Sequence, residues 1–132
     1  MTERKEFDAK PESVDCMISF IEGHLSGFAE KMAYDLKLSC EEILVNIANY
    51  AYPEQDGWLA VLWENDSQKV KVTFEDKGTP FNPLEKENPD LNVPMAEREI
   101  GGLGIMMVRK LMDSVEYERR DGKNILTITK WY

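Results

Sequence analysis

The apolar residues of this chain change their spacing once, at Pro53, and that change limits the folds open to it. Before Pro53, Leu36, Cys40, Ile43, Leu44, Ile47, Ala48 and Ala51 recur at helical intervals and form one stripe on a helix predicted from about Tyr34 to Tyr52. Proline cannot continue a helix, so the stripe ends there. After it the pattern alternates. Trp58-Leu59-Ala60-Val61-Leu62-Trp63 reads as a strand, Asn65-Asp66-Ser67 as a turn, and Lys69 to Glu75 as the returning strand. In that strand Val70, Val72 and Phe74 face inward, while Lys69, Lys71, Thr73 and Glu75 face out. A second hairpin, Val115–Arg120 and Ile125–Trp131, turns at Asp121-Gly122.

Upstream, residues 3–9 suit a short strand around Phe7. Pro11-Glu12-Ser13 then opens a helix carrying Val14, Met17, Ile18, Ile21 and Leu25, weakened at its end by Gly23 and Gly27. A further helix is expected over 103–113. Between them, residues 82–101 show no sustained period and contain Pro83, Pro89 and Pro94, which suits a functional lid or mobile loop. Helices and antiparallel strands segregate, so the expected fold is α+β: a two-layer sandwich with a mixed, mostly antiparallel sheet and helices on one face.

A length of 132 residues suits one domain. The net charge of −9 argues against nucleic-acid binding, which needs clustered Lys and Arg. The one dense basic cluster, Arg119-Arg120-Asp121-Gly122-Lys123, falls on a hairpin tip. No stretch approaches the ~18–20 apolar residues that span a bilayer, and Met1 to Asp8 has no apolar run behind its charges. The expectation is a soluble, unprocessed, cytoplasmic protein. Its two cysteines, Cys16 and Cys40, read as buried reduced thiols without CxxC spacing.

Three stretches carry candidate chemistry. On the helix before Pro53, Glu42 and Asn46 fall on one line at ~100° per residue, bordering the apolar stripe, with Asn49 close by. A partly shielded carboxylate there can act as a general base, and an amide oxygen four residues on can ligate a hard cation such as Mg²⁺. The same pattern also fits a solvated helix edge. Next, the strand ending at Asp76-Lys77-Gly78 places a carboxylate at the sheet end, where a ring amino group could donate to it; a plain loop would look similar. Third, Gly101-Gly102-Leu103-Gly104 precedes an apolar helix whose first N–H groups are left bare for an anion. It is neither a dinucleotide fingerprint, since Met107 stands where the last glycine belongs, nor a Walker A loop. A hinge explains it as well.

The order and spacing of the three say more than each alone. Glu-x-x-x-Asn on a helix, Asp-x-Gly after a strand, a lid, then Gly-x-Gly opening a helix resembles the Bergerat (GHKL) ATP-binding fold. Within it, the compact length resembles the anti-sigma-factor serine kinases. The resemblance covers roughly residues 30–131 and implies a single histidine-kinase-like ATPase domain over 1–132. It implies Glu42 as catalytic base, Asn46 as Mg²⁺ ligand, Asp76 as reader of the adenine amino group with Gly78 beneath the ring, Gly102, Leu103 and Gly104 at the phosphates, and an ATP lid at 84–100. It further implies ATP and Mg²⁺ as cofactors, a sigma factor and an anti-sigma antagonist as protein partners, and a homodimer.

Two positions depart from the family pattern. Tyr50 stands where a histidine is frequent, and Gly122-Lys123-Asn124 replaces the frequent Gly-Thr, leaving Thr127 as a hydroxyl candidate near the base. A sensor histidine kinase needs a phosphoacceptor histidine on a dimerising helix, and the only histidine, His24, falls near the end of a short helix with no linker to a separate catalytic domain, which speaks against that class. The rival class is a non-catalytic regulator that binds ATP only to order its lid and control partner binding.

Overall fold

A computed structural model describes residues 1–53, 55–85 and 102–132. Along the chain run β1 (Thr2–Asp8), a 3-10 turn (Pro11–Ser13), α1 (Val14–Glu22), α2 (Glu30–Tyr50), β2 (Trp58–Asn65), β3 (Lys69–Asp76), a second 3-10 turn (Pro83–Glu85), α3 (Gly102–Leu111), β4 (Ser114–Arg120) and β5 (Lys123–Trp131). The five strands form one sheet in the order β1-β2-β3-β5-β4, and every pairing among the described residues is antiparallel.

Strand alternation decides which face the helices cover. Leu59, Val61 and Trp63 of β2 sit in register with Asp76, Phe74 and Val72 of β3, and the last three with Asn124, Leu126 and Ile128 of β5. The apolar members of these rows join Met17 and Ile21 of α1, Leu36, Cys40, Ile43 and Leu44 of α2, and Ile105 and Val108 of α3 in one buried cluster. Residues of the opposite parity, Lys71, Thr73 and Thr127 among them, lie on the other face. The fold is therefore an α+β sandwich with its helices on a single side. Thr127, with Oγ1 3.4 Å from Thr73 Oγ1, lies on that far face, away from the helices that carry Glu42.

Element ends differ from the sequence reading for local reasons. α2 starts at Glu30, four residues early, because Lys31 and Asp35 pair at i,i+4 (Nζ to Oδ2 2.8 Å) and Met32 packs on the core. The second hairpin closes with Asp121 and Gly122 both at positive φ (54° and 75°), which pairs Arg120 with Lys123 and starts β5 two residues before Ile125. Only one cysteine is buried. Burial pushes the Cys40 thiol up, whereas Cys16 lies on the outer face of α1 and is exposed. His24 stacks on Trp63 with ring centroids 4.8 Å apart and bonds Glu3 at 2.8 Å. Among the described residues no helix is long and apolar enough to cross a membrane.

Candidate functional site

Where α2, the end of the sheet and the start of α3 meet, they enclose a cavity of ≈ 470 Å³. Its walls are mostly apolar, from Ile43 and Ile47 of α2, Phe74 of β3, Leu126 of β5 and Ile105 of α3. Polar groups enter at few points: Asn46 and Tyr50 from α2, and Asp76, Tyr117 and Asn124 from the sheet. Apolar walls with a few convergent polar groups are the usual make-up of a small-molecule site.

Asp76 occupies an inward-facing position, the next after Val70, Val72 and Phe74, so the alternation that buries those residues buries a carboxylate too. Its Oδ1 accepts from Gly78 N at 2.9 Å and from Asn124 Nδ2 at 3.0 Å, while no described residue donates to its second oxygen. Burial pushes the Asp76 carboxyl above the usual aspartate value. The Asn124 and Gly78 hydrogen bonds and the Arg119 charge pull the other way without cancelling that rise.

The Asp76–Gly78 turn is strapped to the end of α2. Thr79 N donates to Ala51 O at 2.9 Å, Lys77 N donates to Tyr52 Oη at 2.7 Å, and Tyr52 Oη donates in turn to Trp58 O at 2.7 Å. Arg119 Nη1 holds Gly78 O at 3.0 Å. A Cβ on Gly78 would stand 2.2 Å from Ala51 O, a backbone atom already fixed by Thr79, so nothing flexible can move aside. Gly78→Ala should therefore force the turn off α2 and cost about 1–3 kcal/mol, read as a lower melting temperature without any nucleotide. An unchanged melting temperature would mean that the turn can shift freely.

Glu42 stands one turn before Asn46 but is not among the cavity walls. Its carboxylate lies against the first turn of α3, with Oε2 2.3 Å from where a Cβ on Gly104 would be. A side chain at 104 would have to displace that carboxylate. Gly102 and Leu103 belong to the same first turn of α3. Gly101 and residues 86–100, most of the expected lid, lie outside the described residues. Tyr50 is exposed at the cavity mouth.

The structure thus places Asn46 and Asp76 on one cavity and brings Glu42 to Gly104 beside it. Among the described residues no group of three or more His, Cys, Asp or Glu could hold a metal ion, so a cation here would depend on the Asn46 amide oxygen and on its own ligand's oxygens. Sequence reasoning missed Asn124, Tyr117 and Arg119. The signal was parity: counted back from Leu126 and Ile128, Asn124 is an inward position, and Arg119 and Tyr117 pair with Asn124 and Leu126.

The histidine kinase-like ATPase domain family matches residues 7–130. The serine/threonine-protein kinase BtrW of Bordetella bronchiseptica is 27% identical over 103 residues, covering 77% of this chain and 72% of that protein. The serine-protein kinase RsbW of Bacillus mycoides is 28% identical over 109 residues, covering 80% and 68%. RsbW of Bacillus cereus is likewise 28% identical, over 110 residues.

Proposed function

The chain belongs to the histidine kinase-like ATPase domain family, and from that premise we propose that it is an ATP-dependent serine protein kinase and anti-sigma factor. It binds a sigma factor and phosphorylates a serine of an anti-sigma antagonist. The observation that carries the nucleotide assignment is the second carboxylate oxygen of Asp76, which accepts from no described residue on a cavity walled mostly by apolar side chains. A cavity of ≈ 470 Å³ is within the range that takes a small-molecule cofactor.

In this reading residues 1–132 work as one domain. The unbonded Asp76 oxygen accepts from the adenine 6-amino group, and Phe74, Ile47 and Leu126 shield the ring from water. Gly78 keeps the turn flat against α2 below it. Gly102, Leu103 and Gly104 present the bare N–H groups of the α3 N-terminus to phosphate oxygens, where the helix dipole also favours negative charge. Asn46 holds Mg²⁺ through its amide oxygen; this cation normally keeps several ligands from water and phosphate, so a single protein oxygen suffices. Glu42 takes the proton from the attacking serine hydroxyl. Bound Mg·ATP supplies the phosphoryl group and the charge neutralisation that its transfer requires. The partners are a sigma factor and the antagonist in the cytoplasm, with a second copy of the chain pairing at the sheet edge formed by β1, most of whose residues are exposed.

Mg·ATP should raise the melting temperature, since a ligand at ~100 times its Kd adds about 2.7 kcal/mol by linkage. No shift at millimolar nucleotide would sink the assignment. With ATP binding established, transfer of labelled phosphate to a supplied antagonist separates a kinase from a regulator that only binds.

A further inference from the structure

Asp76 and Asn124 stand opposite each other in the β3–β5 ladder, both on the helix-covered face. Asn124 is buried, and each of its hydrogen-bonding capacities is used. Nδ2 donates to Asp76 Oδ1 at 3.0 Å and to Thr79 O at 2.9 Å; Oδ1 accepts from Phe81 N at 3.3 Å and from the Tyr117 hydroxyl. A backbone carbonyl can only accept and a backbone N–H can only donate, so the amide has one orientation.

This arrangement bears directly on the carboxylate. The terminal torsion of an aspartate is soft, and a carboxylate held by one donor can pivot about it. Two donors on the same oxygen, Gly78 N from the turn and Asn124 Nδ2 from the neighbouring strand, fix the plane and leave the second oxygen toward the cavity. Asn124 itself has nothing left to offer a bound base. We propose that Asn124 is the positioning residue for adenine specificity, acting through Asp76 by holding its Oδ1 so that the other oxygen meets a purine 6-amino group. Tyr117 fixes the amide from behind, and Arg119 anchors the turn through Gly78 O. The inference rests on the nucleotide reading of the cavity and adds to it the residue that sets base preference.

The alternative role for Asn124 is purely structural, a staple between β5 and residues 79–81, and base preference tells the two apart. Inosine carries a 6-oxo group where adenine carries the amino group, and the rest of the nucleotide is nearly the same. Titration calorimetry of the full chain with Mg·ADP and Mg·IDP gives the ratio of the two Kd values. Wild-type protein should prefer ADP. Asn124→Ala removes the donor, and the nearly isosteric Asn124→Asp keeps the acceptor for Phe81 and Tyr117 but faces Asp76 with a second acceptor. In both variants ADP should weaken about tenfold, the size of one lost hydrogen bond to a charged group, while IDP holds its affinity. Should Asn124→Ala fail to fold, Asn124→Asp alone carries the comparison. Equal weakening of both nucleotides, or an unchanged ratio, would overturn the role of Asn124 while leaving the nucleotide site standing. Wild-type protein that binds neither nucleotide would overturn the site and this role together.

Discussion

Glu42→Gln should bind Mg·ATP with nearly wild-type affinity and yet transfer phosphate about 10²–10⁴-fold more slowly, the usual contribution of general-base assistance. The two side chains have the same length and shape, so the close packing of Glu42 against Gly104 survives the exchange. What is lost is basicity. Because Glu42 is not one of the cavity walls, the substitution should leave contacts to the base and ribose untouched. Glu41→Gln provides the control. Glu41 lies ~100° around α2 and has no reason to reach the α3 turn. Single-turnover transfer from labelled ATP to an antagonist protein, with nucleotide affinity measured alongside, separates the two effects. If Glu41 proved essential and Glu42 did not, the helix register assigned to the site would be wrong. If neither mattered while ATP still bound, the chain would act as a nucleotide-dependent regulator without transferase chemistry.

The fold was legible because two periods are written plainly in this chain. The stripe from Leu36 to Ala51 and the alternation of Val70, Val72 and Phe74 each have one reading, and both produced the elements expected of them. The parts of the candidate site were legible for a similar reason. Asp76 continues the inward alternation of β3, and Asn46 follows Glu42 by one helical turn. Asn124 escapes a sequence reading because the apolar alternation begins only at Ile125, and a strand started two residues late loses its first inward position. The residues that strap the turn escaped for another reason. Tyr52 meets Lys77, Gly78 meets Ala51, and Gly104 meets Glu42 across long stretches of sequence, and no local pattern records such contacts. Glycine at 78 and 104 marks where something comes close, but the sequence does not say what.

Asp76→Asn should change which base the site accepts without weakening the fold. The amide oxygen can take the place of Oδ1 and keep the bonds from Gly78 and Asn124, which then places an NH₂ group where the unbonded oxygen stood. Against adenine, donor would face donor. Loss of a hydrogen bond to a charged group is worth about 1.5–3 kcal/mol, roughly 10- to 150-fold in affinity, before any repulsion is counted. Against a 6-oxo purine the same NH₂ group finds an acceptor, so Mg·ITP should bind the variant better than it binds wild type. Stability should follow from the charge. Burial raises the Asp76 carboxyl above its ordinary value, so the folded state binds its proton more tightly than the unfolded chain does. The favourable contribution of the protonated group is complete below the unfolded value of ~3.9 and is lost as pH rises through the folded one. At neutral pH wild type therefore bears the cost of a buried ionised carboxylate, and the neutral amide does not. The melting temperature of the nucleotide-free variant should equal or exceed that of wild type at pH 7, with the difference shrinking toward pH 4. Unchanged ATP affinity together with unchanged preference between ATP and ITP would remove Asp76 from the site.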